Sequence, residues 1–422
     1  MRRRARFMGM RALAAAALLF AGVAPAGAVD LVFAVITTDD KPDVSIGDGI
    51  CADVDGKCTL RAAIQEANAH PGEDIINIIG AKDQRFPLKV VGANEDAAAT
   101  GDLDITDTTG VLIVHGNGHA TIKGKKDRVF HILPGASLQL DGVSVANGST
   151  LTKDVVADPT TLDGGGILNE GTLDIRLGTI SGNKSQTDGG GIANRGTLFM
   201  AQTTVGKNKA VGDGGGLYDG GLGGSADINT STFAKNQAGG QGGGIDNDHA
   251  MLLTSVTIGA NKANADGAGI NNHDGAALTL QNVTIKDNKS KSKTVGGGVA
   301  NDAASTATCT NTLVDTNQPA NCAGTIASGG GNVENAATCG FGAGDKPNAG
   351  KLQLKGLKFV KDNPFTQTYV PKATSPAIDA GVDTGCPMLD ENFHGRVDAA
   401  SVANANNSSC DSGAVEFGDG LF

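Results

Sequence analysis

The sequence predicts an all-β protein built as a parallel β-helix, and three observations carry this prediction. A Gly triplet recurs about every 25 residues through the middle of the chain, and aliphatic residues alternate with polar ones after each triplet. The 422 residues include 63 Gly but no Trp, two Tyr and 13 Phe, which suits a thin core of Ile, Val and Leu. Such a repeat is typical of solenoids, in which each coil buries its apolar face against its neighbours.

Each repeat begins with a Gly triplet, continues with an aliphatic residue and has Asn or Asp two places later. The triplets begin at Gly164, Gly189, Gly214, Gly242, Gly267 and Gly296, and the fifth has Ala268 as its middle residue. One aliphatic column reads Ile167, Ile192, Leu217, Ile245, Ile270 and Val299, and another reads Ile175, Met200, Ile228, Leu253, Leu280 and Cys309. Stacked strands lie about 4.8 Å apart, so we expect ladders of like side chains, with Asn hydrogen-bonded along the stack.

Residues 1–28 are predicted to be a cleaved signal peptide. A basic start is followed by the apolar run 12–24 and by the small residues Ala26, Gly27 and Ala28. That run is shorter than the roughly 20 residues that cross a bilayer, so no transmembrane segment is expected after cleavage. We therefore expect the protein to be secreted or exposed at a bacterial cell surface.

The charge of the chain restricts its partners. Cleavage removes five of the 34 basic residues and none of the 45 acidic ones, which takes the net charge from −11 to −16. An acidic body of this kind repels nucleic acid, which we exclude, and it repels polyanionic glycans unless a cation bridges them.

A short amphipathic helix is predicted over residues 60–67, where apolar residues recur at helical spacing before Asn68 and Pro71. It precedes a strand predicted over residues 75–79, and we expect it to cap the open end of the solenoid. The predicted organisation is an N-terminal cap over residues 29–74, the β-helix over 75–335, and C-terminal coils with a tail over 336–422.

Motifs near both ends resemble a family of bacterial surface β-helix proteins. Residues 58–64, Cys-Thr-Leu-Arg-Ala-Ala-Ile, resemble the CSLREA motif, and residues 101–105 and 127–130 look like the early coils of the same proteins. Residues 375–381 and 410–416 resemble the choice-of-anchor Q domain. The departures are Thr59, Ala62 and Val415, which replace Ser, Glu and an aromatic residue. The resemblance implies a single-stranded, right-handed, pectate-lyase-like parallel β-helix, and it implies no catalytic residue.

Seven Cys in an exported chain indicate disulfide bonds. Pairing of sequence neighbours joins Cys51 with Cys58, Cys322 with Cys339, and Cys386 with Cys410. Cys309 is left over in an inward aliphatic column, where a buried thiol packs as a small hydrophobe. The sequence contains no C-x2-C pair, so the Cys residues do not indicate a zinc site.

Three groups of polar residues are candidates for chemistry. The first is the Asp before several triplets, which could hold calcium or simply form turns: Asp163, Asp188, Asp213 and Asp266. The second is a polar ladder on three successive coils, Asp248, His273 and Asp302. These residues could transfer protons or bind a metal, or they could simply be solvated turn residues. The third is the pair Asp102 and Asp104, which could act as acid and base or serve an early turn.

The sequence favours binding over catalysis. We expect a partner that is a polysaccharide or an envelope or matrix protein, with no catalytic site, no metal site and no required cofactor. The alternative is a polysaccharide lyase or glycoside hydrolase that acts along a lateral groove of the β-helix.

Overall fold

The computed structural model describes residues 30–80, 83–92, 95–152, 162–221, 223–293, 296–361, 363–396 and 410–417, and at residues 118 and 119 it describes the backbone alone. The predicted signal peptide lies outside the described residues. The described chain is a parallel β-helix, as predicted, whose coils stack three parallel sheets. Among the described residues, no helix has both the length and the apolar character needed to cross a membrane.

Each sheet contains equivalent strands from successive coils. Sheet 1 comprises Val32–Val35, Asp74–Ile78, Arg85–Pro87, Val111–Lys123, Ser137–Ala146, Thr172–Arg176, Thr179–Ser181, Thr197–Ala201, Thr204–Gly206, Ser225–Asn229, Thr232–Ala234, Ala250–Thr254, Thr257–Gly259, Ala277–Gln281, Thr284–Lys286, Thr306–Thr310, Leu313–Asp315, Ala327–Ser328 and Val333–Glu334. Sheet 2 comprises Leu103–Ile105, Phe130–Ile132, Ile167–Asn169, Ile192–Asn194, Leu217–Asp219, Ile245–Asn247, Ile270–Asn272, Gly296–Asn301 and Ala320–Ala323. Sheet 3 comprises Lys184–Ser185, Lys209–Ala210, Gln237–Ala238, Lys262–Ala263 and Lys289–Ser290.

The predicted columns are in register. Ile192 pairs with Ile167 on one side and Leu217 on the other, and Met200 pairs with Ile175 and Ile228 in the same way. These side chains are buried in one continuous core that follows the stack. The Gly triplets allow the coils to approach closely, since a Cβ added at Gly166 would lie 2.6 Å from the carbonyl oxygen of Gly191.

Sheet 1 bends between its two strands in each coil, and in six successive coils the bend residue is not Gly. The bend residues have φ values between 41° and 55°: Leu177, Gln202, Thr230, Ser255, Asn282 and Asn311. Such left-handed conformations are costly for residues with a side chain, so packing within the stack must impose them.

A ladder of buried Asn side chains joins the coils at the end of each repeat. Each Nδ2 donates to Oδ1 of the next Asn at 2.9–3.1 Å, along the series Asn183, Asn208, Asn236, Asn261, Asn288 and Asn317. Each Nδ2 also donates to a main-chain carbonyl, as Asn236 does to Val205 at 2.9 Å. The ladder therefore satisfies polar groups that are out of contact with water.

A second Asn ladder runs along sheet 2 and is interrupted by an acid. Asn194 Nδ2 donates to Asp219 Oδ1 at 2.6 Å, and Asn247 Nδ2 donates to Asn272 Oδ1 at 2.7 Å. Between these rungs, Asp219 pairs with Asn247, and a carboxylate has no hydrogen to donate. Among the described residues, Asp219 Oδ2 and Asn247 Oδ1 are buried without a hydrogen-bond partner.

The predicted helix forms over Leu60–Ala69, with Thr59 as its N-cap. It contacts strands Val32–Val35, Asp74–Ile78 and Leu103–Ile105, so it lies over the first coils. One detail of the prediction is wrong: the helix does not precede the first strand, because Val32–Val35 pairs in parallel with Asp74–Ile78. Phe33 and Val35 face inward in this short strand, which carries only two buried side chains.

Residues 341–361, 363–396 and 410–417, here called the C-terminal segment, pack against the outer side of sheet 1. Their own strands, Lys358–Val360 and Asn363–Thr368, are antiparallel. Thr204 Oγ1 donates to the carbonyl oxygen of Phe365 at 2.6 Å, and the buried carboxyl of Glu391 accepts from Thr232 at 2.9 Å. The segment thus covers a column of Thr residues that would otherwise face solvent.

Disulfide bonds join Cys51 to Cys58, Cys322 to Cys339 and Cys386 to Cys410, the pairs proposed from the sequence.

Cys309 is expected to resist thiol reagents in the native protein. Its side chain is buried in the core, and burial raises the pKa of its thiol to about 12. Because the thiolate is the reactive form, labelling at pH 8 should need unfolding. Mass spectrometry with and without denaturant measures this, and rapid labelling of the folded protein would contradict the assignment.

Candidate functional site

The outer side of sheet 2 and its adjoining turns carry a continuous row of polar side chains. In each three-residue strand the first side chain enters the core, so the middle one faces outward. The middle position holds Tyr218 and Asp246 in two neighbouring coils. We call the following set the polar face: Asp163, Glu170, Asp188, Arg195, Asp213, Tyr218, Asp246, Asp248 and His273.

His273 lies against three carboxylates, those of Asp246, Asp248 and Asp274. Its Nε2 lies 3.1 Å from Asp246 Oδ2 and 2.8 Å from Asp248 Oδ1. Hydrogen bonds to Asp246 and Asp248 raise the pKa of His273 to about 11, although partial burial opposes them. His273 is therefore a cation at neutral pH, and it compensates the charge of the fully buried Asp246, whose own pKa is raised by burial.

Tyr218 lies at the centre of the polar face. Its hydroxyl donates to Asp248 Oδ2 at 3.1 Å, and burial followed by the charge of Asp248 raises the pKa of that hydroxyl. Its ring passes over Gly220, where an added Cβ would lie 2.4 Å from the Tyr218 hydroxyl oxygen. Gly at this position leaves room for the ring in this orientation.

Arg195 holds the next part of the polar face. It forms ion pairs with Glu170 at 3.0 Å and with Asp163. Glu170 also lies 3.1 Å from His131, and the hydrogen bond from His131, followed by that from Arg195, lowers the pKa of Glu170 to about 2. Burial opposes charging of His131, but hydrogen bonds to Asp104 and Glu170 raise its pKa to about 9. This end of the face is a fixed network of charges at neutral pH.

Asp188 and Asp213 lie between these two networks. Within the described residues, neither forms an ion pair with a cationic side chain. Asp188 Oδ1 accepts from the main-chain nitrogen of Asp213 at 2.6 Å, as Asp163 Oδ1 accepts from that of Asp188 at 3.0 Å. Burial raises the pKa of Asp188 to about 7, with additional contributions from the charges of Asp163, Asp213 and Asp246. Asp188 therefore exchanges a proton near neutral pH.

The structure brings together only part of the ladder predicted from the sequence. Asp248 and His273 are in contact, but the carboxylate of Asp302 turns to its own loop and accepts from the main-chain nitrogens of Asp274, Ala304 and Ser305. Asp302 therefore acts as a turn residue. Sequence reasoning missed Tyr218 and Asp246, for which the available signal was a polar residue at the middle of the repeated strand.

The pair Asp102 and Asp104 belongs to the N-terminal end. Asp104 Oδ2 accepts from the main-chain nitrogen of Ala98 at 2.8 Å, and Asp102 lies 3.3 Å from Arg128. Burial raises the pKa of Asp102 to about 8, together with the nearby charge of Asp127. These contacts fix an early turn.

Among the residues that the structure describes, two groups have donor atoms close enough to hold a metal ion, with all three atoms within 4.8 Å of one another. They are Asp246 with Asp248 and His273, and Asp96 with Asp104 and His131. Calcium prefers six to eight oxygen ligands, so a histidine-containing group suits it poorly. In the Asp column, Oδ1 of Asp163, Asp188 and Asp213 already accepts main-chain hydrogen bonds, which accords with a turn role.

Comparisons with known proteins add one structural similarity. No family model matches the chain. No curated protein matches it either. Among solved structures, the crystal structure of pectate lyase Pel9A aligns with a TM-score of 0.47 and 13% sequence identity, covering 92% of this chain and 97% of that chain. At this identity the similarity does not extend to activity or substrate.

Proposed function

We propose that the polar face binds an extended glycan chain. The observation that carries the proposal is a row of half-buried hydroxyl, carboxyl and cationic groups that follows the stack, with Tyr218 at its centre. Neighbouring strands lie about 4.8 Å apart, which is close to the length of one sugar unit in an extended glycan. Successive coils can therefore contact successive sugar units with equivalent groups.

The charge of the polar face favours a neutral glycan. Arg195 forms ion pairs with Asp163 and Glu170, and His273 lies against Asp246, Asp248 and Asp274. Asp188 and Asp213 add negative charge. A polyanionic chain would meet repulsion at these carboxylates. Neutral sugar hydroxyls, in contrast, donate to carboxylates and accept from Arg and Tyr, and a Tyr ring packs against the apolar face of a sugar.

The proposal predicts that Tyr218→Ala weakens glycan binding by at least about tenfold, a loss of about 1.4 kcal/mol. The variant removes both the ring and the hydroxyl that orients Asp248. A panel of neutral and acidic polysaccharides identifies the ligand with the native protein, and calorimetry then measures its affinity for each variant.

Phe199→Ala is the matched control, because Phe199 is an exposed aromatic residue on sheet 1. It should bind as the unaltered protein does. Equal affinities for Tyr218→Ala and the unaltered protein, with both folded, would reject the polar face as the binding surface.

Glycan cleavage is the second candidate function, and the proton exchange of Asp188 near pH 7 favours it. A carboxyl with a raised pKa can act as a general acid beside an ionised carboxylate. Product analysis on the same polysaccharide panel, with and without Ca²⁺, distinguishes the two. Turnover that is lost in Asp188→Asn would replace the binding proposal with an enzymatic one.

We also propose that the protein is exported and belongs with the CSLREA and choice-of-anchor Q surface proteins that it resembles. Three disulfide bonds suit an oxidising compartment outside the cytoplasm. In the resembling motifs, Arg61 and Glu416 are buried and hydrogen-bonded, which accords with structural roles. Sequencing the N-terminus of the secreted protein tests for cleavage after Ala28.

A further inference from the structure

A cleft of about 460 Å³ lies between the C-terminal segment and the coils that it covers. Its lining includes Lys286, Asp315, Thr316, Asn335, Lys351 and Lys372. One wall is part of a small antiparallel ladder, in which the main-chain nitrogen of Lys372 donates to Gln353 at 2.9 Å. The volume is within the range of small-molecule sites.

The cleft is basic, although the protein is acidic. Its lining holds three Lys and one acid, Asp315, whereas the whole chain has a net charge of −11. Lys351 and Lys372 are exposed at the cleft, and neither forms an ion pair with any other described residue. Two uncompensated ammonium groups at one concave site attract an anion.

The floor of the cleft has fixed groups that suit the hydroxyls of a sugar. Lys286 Nζ lies 2.6 Å from Asp315 Oδ2 and 2.8 Å from Thr316 Oγ1, and it packs 5.7 Å above the ring of Tyr369. Asn335 Oδ1 accepts from the main-chain nitrogen of Thr316 at 3.0 Å, which orients the Asn335 amide. These neighbours hold the polar groups in place before a ligand arrives.

We propose that this cleft binds an anionic saccharide unit, whose carboxylate contacts Lys351 and Lys372 while its hydroxyls contact Asn335, Thr316 and Asp315. A bare inorganic anion would use only the ammonium groups, and it would make no use of the oriented Asn335 amide. The site is separate from the polar face, so it gives the protein a second glycan contact with the opposite charge preference.

The test uses the folded, full-length mature protein and three probes: a uronic-acid disaccharide, its uncharged neutral counterpart and sodium sulfate. We expect calorimetry to show that the uronic-acid disaccharide binds at least about tenfold more tightly than either other probe. The double variant Lys351→Glu, Lys372→Glu should lose at least tenfold in affinity for it. Added salt should weaken binding, because the attraction of exposed charges is screened.

The matched control is Lys262→Glu with Lys289→Glu, which makes the same charge change at exposed positions on sheet 3. This control should bind the uronic-acid disaccharide as tightly as the unaltered protein does. Tyr218→Ala should also keep its affinity for the disaccharide, so the test of the cleft is independent of the test of the polar face. Sulfate binding as tight as that of the uronic-acid disaccharide would overturn the proposal in favour of a general anion site. Equal losses in the cleft and control variants would overturn it in favour of net charge alone.

Discussion

Arg61→Leu is expected to destabilise the protein by about 3–5 kcal/mol, because it breaks a buried ion pair by removing one partner. The Arg61 side chain is fully buried, and its Nε lies 2.7 Å from Asp40 Oδ1. Its other nitrogens donate to the main-chain carbonyls of Ala98, Gly101 and Asp102 at 2.8–3.0 Å. The variant leaves the Asp40 carboxylate without its cation and removes the guanidinium donors from these carbonyls, of which Ala98 keeps a second donor in Gln65.

Urea unfolding measures the total loss, and hydrogen exchange of the amides around residues 98–102 locates it at the N-terminal end. Arg85→Leu is the control, since Arg85 is an exposed arginine on a nearby strand and its loss should cost within about 0.5 kcal/mol. A similar small cost for Arg61→Leu would mean that the cap does not depend on this residue.

Asp219→Asn is expected to stabilise the protein at neutral pH by about 3 kcal/mol, which is the free-energy equivalent of a rise of about two units in the pKa of Asp219. The new amide can donate to Asn247 Oδ1 and so complete the sheet 2 ladder that Asp219 interrupts. Burial raises the pKa of Asp219 to about 6, opposed by the hydrogen bond from Asn194 and by His249 and reinforced by the charge of Asp248. Holding this carboxyl ionised in the stack therefore costs free energy above that pH.

The advantage of Asp219→Asn should disappear in acid. Since folding raises the pKa of Asp219 by about two units, protonation favours the folded state between about pH 4 and pH 6. The stability from this group is complete below pH 4 and is lost as the pH rises through 6, at about 1.4 kcal/mol per unit. Protonated Asp219 also gains a hydrogen to donate to Asn247.

Unfolding of Asp219→Asn and of the unaltered protein should be compared at pH 4 and pH 7.5. The comparison isolates this residue, because other buried carboxyls such as Asp102 and Asp188 titrate equally in both proteins. Asp227→Asn is the control, a half-buried acid in the same coil. An equal gain from Asp219→Asn at both pH values would show that the ionised carboxylate has no cost.

The stack was predictable because its columns repeat. Ile167, Ile192 and Leu217 recur at the same place after each triplet, and the structure pairs them in register. The bends of sheet 1 were not predictable, since residues such as Leu177 and Thr230 adopt left-handed backbone conformations without a Gly or Pro signal. Packing between coils imposes those conformations, and no local pattern records it.

The candidate site was predictable only where the polar residues also formed a column. Asp248 and His273 stand at equivalent positions of adjacent coils. The repeat therefore predicted that they lie close together, and in the structure they are in contact. Tyr218 and Asp246 share their column with Leu168 and Ala193, which made that column look structural. Their importance depends on contacts between coils, which a single repeat does not reveal.

The packing of the C-terminal segment on sheet 1 has a consequence for folding kinetics. Coils contact mainly their sequence neighbours, and such local contacts form quickly. The hydrogen bond between Thr204 and Phe365 instead joins residues 161 positions apart, and that between Thr232 and Gln367 spans 135 positions. The coils are synthesised before the C-terminal segment that covers them. The Thr column of sheet 1 is therefore exposed to solvent until that segment has been made. Completion of the fold is therefore a late, high-contact-order step, in which the chain returns across coils that have already formed.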